Sequence, residues 1–402
     1  MDLKTGYKQT EIGLIPMDWE VNTVQELIDD KFIVSHLDGN HGALYPKSYE
    51  FKENGVPYIG ANDFLGGKVS FNNCKYLSNE RAEEFRKGIA IDGDVLFAHN
   101  ATVGPVAFLE TSLNYIILST TATYFRCDNN NLINNYLIYA LQSPSFIHQY
   151  SAIMSQSTRC QVPITAQRKL NLIIPTPAEQ TAIATALSDA DGLITGLEKL
   201  IAKKRNIKQG AMQQLLQPKE DWEVKKLGEV AHVIMGQSPL SQFYNTESIG
   251  LPLIQGNADI NNRKTIIRSY TSFVTKKGKA GDIIMSVRAP VGEISRATFN
   301  CCLGRGVCSI SYENDFIYHY LIYFEKSWAK LSTGSTFDSV NSKQVKELEI
   351  PIPKSKEEQI RIATILSDMD AELSALEQKL EKYKKVKLGM MQELLTGKTR
   401  LV

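Results

Sequence analysis

No stretch of this chain approaches the ~18 apolar residues of a membrane span. Met1-Asp2-Leu3-Lys4-Thr5 has neither the apolar run nor the cleavage site of a signal peptide, so none is expected. Cysteine is scarce: six in 402 residues, at Cys74, Cys127, Cys160, Cys301, Cys302 and Cys308. That is too few for a disulfide scaffold. No CxxC pair and no CxxC…HxxxH pattern occurs, so they read as reduced thiols of a cytoplasmic protein. Net charge is lacking as well. The 45 Lys+Arg against 44 Asp+Glu leave +1, which on its face argues against nucleic acid. With 43% hydrophobic and 22% charged residues the chain is globular, long enough for two or three domains.

Catalytic signatures are missing too. Gly66-Gly67-Lys68 lacks the earlier glycine and the following Ser/Thr of a phosphate-binding loop. There is no GxGxxG after a strand and no GxSxG. There is no Asn/Asp-Pro-Pro-Tyr/Phe and no nuclease Pro-Asp…Glu-x-Lys set. His36, His41, His99, His148, His232 and His319 show no HxxxH spacing. No catalytic residue and no metal site is expected.

What is present is a duplication. Gln180–Leu216 aligns without a gap on Gln359–Leu395 at an offset of 179, with 17 of 37 positions identical. Ile174-Pro175-Thr176-Pro177 and Ile350-Pro351-Ile352-Pro353 precede the two copies. The remainder repeats more weakly. Asp18-Trp19-Glu20-Val21 matches Asp221-Trp222-Glu223-Val224, Gly93-Asp94 matches Gly281-Asp282, and Val103-Gly104 matches Val291-Gly292. The expected order is a globule over 1–172, a helix over 173–218, a second globule over 219–348 and a second helix over 349–402.

After Pro177 the apolar residues follow a 4-3 spacing: Ile183, Leu187, Ala190, Ile194, Leu197, Ile201. The second copy repeats it with Ile362, Leu366, Met369, Leu373, Leu376, Leu380. This is a heptad seam, and each helix should run about 39 residues, or about 58 Å. Acidic residues (Glu179, Asp189, Asp191; Glu357, Glu358, Asp368, Asp370, Glu372) crowd the first halves. Basic ones (Lys199, Lys203, Lys204, Arg205, Lys208; Lys379, Lys382, Lys384, Lys385, Lys387) crowd the second halves. A parallel pair would set like against like, so the helices should pair antiparallel. The fold class expected is α+β: two similar α/β domains separated by a long intramolecular antiparallel coiled coil, pseudo-twofold, with the chain termini close together.

In the globules, Val95–Ala98 and Val106–Leu109 read as strands joined across Val103-Gly104-Pro105. Tyr136–Tyr150, Phe316–Leu331 and Glu80–Lys87 read as helices. Candidate DNA-contacting residues lie in loops at matched places. His99, Asn100 and Arg288 follow equivalent strands, and Gln156, Thr158, Arg159, Ser335 and Thr336 follow equivalent helices. Asn62, Asn257, Gln237, Ser238 and Arg263 add further donors. Arg suits guanine, Asn and Gln suit adenine, and Ser/Thr suit bases or phosphates. A loop arginine or asparagine is ordinarily only solvated; recurrence at matched places favours contact.

Several motifs together resemble the specificity subunit (HsdS) of type I restriction-modification systems. They are Thr10-Glu11-Ile12-Gly13-Leu14-Ile15-Pro16-Met17-Asp18-Trp19-Glu20 and the Pro-x-Pro…Glu-Gln helix starts Ile174–Leu187 and Ile350–Leu366. The helix ends Gln213-Gln214-Leu215-Leu216 and Gln392-Glu393-Leu394-Leu395-Thr396-Gly397-Lys398 belong to the same set, as does Gly236-Gln237-Ser238-Pro239. The resemblance implies a prokaryotic, cytoplasmic, non-catalytic protein. Its two target-recognition domains would each read half of a bipartite asymmetric double-stranded DNA site, with the helices as a ruler. It implies two modification (methyltransferase, HsdM) subunits and, in the full complex, restriction (HsdR) subunits. These partners, not this chain, would hold S-adenosylmethionine, ATP and Mg. Half-sites about 10 bp apart, centre to centre, are expected. Two other classes stay open: a solitary nuclease or methyltransferase, and a non-DNA coiled-coil adaptor.

Overall fold

The computed structural model describes residues 6–39, 44–155, 159–328 and 339–402. It divides into two compact units, Met1–Gly196 with Leu380–Val402, and Leu197–Lys379. Each unit contains one globule, the first part of that globule's own long helix and the last part of the other.

In the first unit a six-stranded sheet runs in the order Ile33–Asp38, Ala122–Cys127, Val95–Asn100, Thr102–Phe108, Lys68–Val69, Phe64–Leu65. A four-stranded sheet contains Lys75–Leu77, Val56–Ile59, Ile116–Leu118 and Ile89–Ala90. Side chains alternate across a strand, so the Val95–Asn100 strand serves two cores. Leu96 and Ala98 face the cluster with Ile59, Ile116 and Leu118. Val95 and Phe97 face the other, with Tyr136, Phe146, Tyr150, Ile183 and Leu187. Removing a side chain such as Phe97 from water contributes about 2–3 kcal/mol.

The second unit repeats the strand order: His232–Met235, Val307–Ser311, Ile283–Ser286, Ile294–Arg296, Lys264–Thr265, Ile260–Asn261. Ile284 and Val307 join Ile254, Cys301 and Leu303, while Ile283 and Met285 join Phe316, Leu321, Trp328 and Leu366.

Both heptad segments are single helices, Pro177–Leu215 and Lys356–Leu394, of 39 residues each. Ile183, Leu187, Ile201, Ile362, Leu366 and Leu373 are buried, and Ile194, Leu197, Leu376 and Leu380 are half-buried. The pairing is antiparallel within each unit. In the first, Ile183 and Leu187 share a core with Met391 and Leu394, and Lys387 bonds Asp191 at 2.6 Å. In the second, Met212 shares a core with Ile362 and Leu366, and Lys208 bonds Asp370. Lys204–Glu372 at 2.6 Å and Arg205–Glu377 at 2.5 Å continue that alignment. Part of the basic runs is thus spent on the acidic halves.

Buried glutamines lock each helix to its globule. Gln180 donates to Asn131 O (2.8 Å) and Pro175 O (2.9 Å) and accepts from Ile133 N–H (2.8 Å). Gln359 donates to Pro353 O (2.8 Å) and accepts from the Tyr312 hydroxyl (2.9 Å). The chain ends also meet. Arg400 bonds the buried Glu179 and Asp18, the Trp19 indole N–H donates to Glu179 at 2.6 Å, and the Tyr7 hydroxyl donates to Gly397 O at 2.8 Å.

Three local expectations need correction. Tyr136–Tyr150 is two helices, Asn134–Ala140 and Pro144–Ser155. Pro144 cannot continue the first, and the Ser143 hydroxyl accepts Phe146 N–H to start the second. The hairpin after Val95–Asn100 turns at Ala101 (φ 65°), not at Val103-Gly104-Pro105, which lies inside the next strand. The expected Glu80–Lys87 helix spans only Asn79–Glu83. The helix expected over Phe316–Leu331 is present over Phe316–Trp328, and its last three residues, 329–331, lie outside the described residues. All six cysteines are free thiols.

Candidate nucleic-acid interface

At one end of each six-stranded sheet, loops distant in sequence are joined by the same short ladder of backbone bonds. In the first unit Ser119 N–H donates to Ile59 O (2.7 Å), His99 N–H to Thr121 O (3.0 Å) and Val162 N–H to His99 O (2.8 Å). In the second, Gly304 N–H donates to Ile254 O (2.7 Å), Val287 N–H to Gly306 O (2.9 Å) and Val340 N–H to Val287 O (2.8 Å). The ladders correspond bond for bond. His99 corresponds to Val287, Asn100 to Arg288, Thr120 to Arg305, and Gln161 to Ser339. Asn100 forms a β-bridge with Gln161, as Arg288 does with Ser339.

The second unit brings its Gly236–Ser238 loop to this ladder. Gly236 N–H donates to Val307 O (3.0 Å), Gln237 N–H to Leu303 O (2.8 Å), and the Ser238 hydroxyl accepts Arg305 N–H (3.0 Å). A Cβ on Gly304 would stand 2.9 Å from the Gln255 side chain, and one on Gly306 would stand 2.0 Å from Gln255 O. Only glycine therefore permits this approach on both sides of Arg305. In the first unit Thr121 Oγ1 accepts Ala61 N–H (3.0 Å), which places the Ala61–Asp63 turn carrying Asn62 beside Ser119–Thr121. Asn257 occupies the corresponding turn, Asn257–Asp259.

The ladder thus brings together Asn62, Asn100 and the Arg159–Gln161 stretch in one unit, and Gln237, Ser238, Asn257 and Arg288 in the other. Gln237 and Arg288 are exposed, Asn100 and Ser238 half-buried. Gln156, Thr158, Ser335 and Thr336 lie outside the described residues. Two expectations are corrected. His99 is buried (5% exposed), so its ring packs in the sheet end and does not face outward. Arg263 is held away from the ladder: its guanidinium bonds Glu325 (2.8 Å to one oxygen) and Ile294 O (3.0 Å). Missed altogether were Arg305 and Thr120, at the turns before Val307 and Ala122. The available signal was an arginine flanked by glycines, Gly304-Arg305-Gly306.

Among the described residues no group of three His, Cys, Asp or Glu side chains could hold a metal ion. No described helix is long and apolar enough to cross a membrane.

The family model for the type I restriction modification DNA specificity domain matches residues 16–209 and again 219–386. The chain belongs to that family. It is similar over nearly its whole length to the specificity subunit named for the type I restriction enzyme MjaX of Methanocaldococcus jannaschii. Identity is 31%, over 98% of this chain and 97% of that one. The MjaVIII specificity subunit of the same organism is 26% identical over 98% and 96%. Two solved structures share the fold. The type I restriction-modification S subunit from M. genitalium has a TM-score of 0.62 at 16% identity, covering 98% of each chain. A chain from a structural study of complex assembly and conformational transition in the type I R-M system has a TM-score of 0.62 at 22% identity, covering 96% of this chain and 99% of that one. This type I specificity subunit is a non-catalytic DNA sequence-recognition subunit with two target domains, a role that implies DNA and partner subunits.

Proposed function

We propose that each unit reads one half of a bipartite, asymmetric double-stranded DNA target through the loops gathered on its ladder. The observation that carries this is the repetition of one backbone ladder with different side chains on it: Asn100 and Thr120 in one unit, Arg288 and Arg305 in the other. Identical scaffolds with different donors present different base preferences. Backbone bonds pin the loops, so little order has to be gained on binding.

The paired helices set the spacer and carry two modification (HsdM) subunits, and restriction (HsdR) subunits join in the full complex. In the second unit Leu200 and Ile207, seven residues apart on the first long helix, remain exposed (38% and 45%), which suits a further helix packing there. S-adenosylmethionine, ATP and Mg belong to those partners.

The test is to exchange residues 18–172 for the first domain of another family member, co-express with the modification subunit and map methylated sites. One half-site should change and the other persist. Change in both halves would overturn the modular reading.

A further inference from the structure

The second unit's ladder sets two arginines side by side. Ser286 stands opposite Val307 in the antiparallel register, and Val287 N–H donates to Gly306 O at 2.9 Å. Arg288 and Arg305 come next on either side of that bond. Both are exposed, and neither guanidinium makes a hydrogen bond or ion pair with another described residue. Elsewhere in the same globule arginines are engaged: Arg263 with Glu325, and Arg296 with Asp315 at 2.8 Å.

Two like charges facing each other across strands are destabilising without an acceptor between them. Here the backbone on both sides is fixed. Arg305 N–H is bound by Ser238, and its neighbours Gly304 and Gly306 are wedged against Gln255. Arg288 is bridged to Ser339, and Val340 N–H is bonded to Val287 O. Two planar forks of donors are therefore held out from a rigid edge, with no acceptor supplied by the described protein. The matched places in the first unit are Asn100 and Thr120, which carry no charge.

We infer that Arg288 and Arg305 form a guanine-reading pair, so that the half-site of the second unit depends on guanine at one or two adjacent positions. Each guanidinium can donate two parallel bonds to the O6 and N7 acceptors of guanine, which a lysine ammonium meets only from a single nitrogen. At the same place in the first unit, Asn100 suits adenine and Thr120 suits a thymine methyl or a phosphate. This inference rests on the reading of the ladders as the DNA-contacting edges.

The experiment uses the complete complex, co-expressed with its modification subunit. Arg288→Ala, Arg305→Ala, Arg288→Lys and Arg305→Lys are compared by methylated-site mapping and by DNA binding across a salt series. Unchanged thermal unfolding serves as the folding control. Each variant should relax a guanine in one half-site only, lowering discrimination there roughly 5- to 150-fold. The lysine variants should restore it only in part, because one ammonium nitrogen has to serve both acceptors.

If the arginines instead hold phosphate, the motif stays intact, the salt slope falls by about 1 per alanine and lysine rescues binding. That outcome overturns the guanine pair. An unchanged motif with unchanged binding overturns it too, while leaving the modular reading to stand on the domain exchange. A domain exchange that alters both half-sites would instead remove the reading on which the pair depends.

Discussion

Lys387 bonds Asp191 at 2.6 Å, and at the offset of 179 residues Lys208 bonds Asp370. One interaction is made twice, once in each unit, by a late lysine of one helix and an early aspartate of the other. The lysines are largely covered (18% and 14% exposed) and the aspartates less so (41% and 42%). Each pair should couple by about 0.5–1 kcal/mol in a double-mutant cycle. Reversing one pair (Lys387→Asp with Asp191→Lys) should retain most of the stability that either single reversal loses. A cycle giving no coupling in urea unfolding would refute the role assigned to these charges.

Gln180 and Gln359 are buried amides whose bonds tie a helix start to its globule. Gln180→Leu leaves Ile133 N–H and two carbonyls without a partner, at a cost of about 2–4 kcal/mol. Gln359→Leu should cost a similar amount in the second unit. Equilibrium unfolding within about 0.5 kcal/mol of the parent for both variants would show that the locks are dispensable.

Arg400 covers Glu179, which is 1% exposed, and Asp18, and its guanidinium lies over the Trp19 ring at 5.6 Å. Arg400→Ala leaves a buried carboxylate with the Trp19 indole as its neighbour, and should cost about 2–3 kcal/mol. Adding Glu179→Gln should recover part of that loss. The bond from Arg400 holds the Asp18 carboxyl below its ordinary value of 3.8. This contribution is present above that value and is lost as pH falls through the lower folded one. Thermal melts of the single and double variants at neutral pH check the first claim. Repeating them under acid conditions checks the second.

Two buried histidines give the stability a sign on the acid side. Burial depresses His36 to about 3, and it depresses His319 to about 4. His36 Nε2 sits 3.2 Å from Gln167 Oε1, and His319 Nε2 sits 2.9 Å from the Ser367 hydroxyl. The unfolded chain takes up protons near 6.5 that the folded chain refuses. Stability is therefore fully present above 6.5 and falls as pH drops from there toward 4 and then 3. The slope reaches at most about 1.4 kcal/mol per pH unit for each histidine. Urea midpoints at pH 7.5 and 5.0 should differ by clearly less in His36→Gln/His319→Gln than in the parent. An undiminished difference would place the acid sensitivity elsewhere.

The long helices were legible because their signals are local and repeated. A heptad recurs every few residues, and the Gln180/Gln359 copies sit at one offset, so Ile183 through Leu380 could be assigned to a seam without any tertiary knowledge. The break at Pro144 is written in Gln142-Ser143-Pro144-Ser145, where a proline and the Ser143 cap divide the apolar stretch before it from the helix after it.

The ladders were not legible in the same way. His99, Thr121 and Val162 are joined by bonds between residues separated by some twenty to sixty positions, and no periodicity announces such a partnership. Loop position alone groups His99 with Arg288 and adds Arg263 as a further donor. The fold buries His99 and binds Arg263 to Glu325.

By itself the sequence determined that one unit is used twice, that its helices pair antiparallel, and that +1 is a sum of acidic and basic halves made to face each other. Periodicity and charge order are properties of the chain. Only the tertiary structure decided which loops share an edge, and so set Arg305 beside Arg288. That arrangement depends on strand register between distant segments, which packing on both faces of the sheet selects.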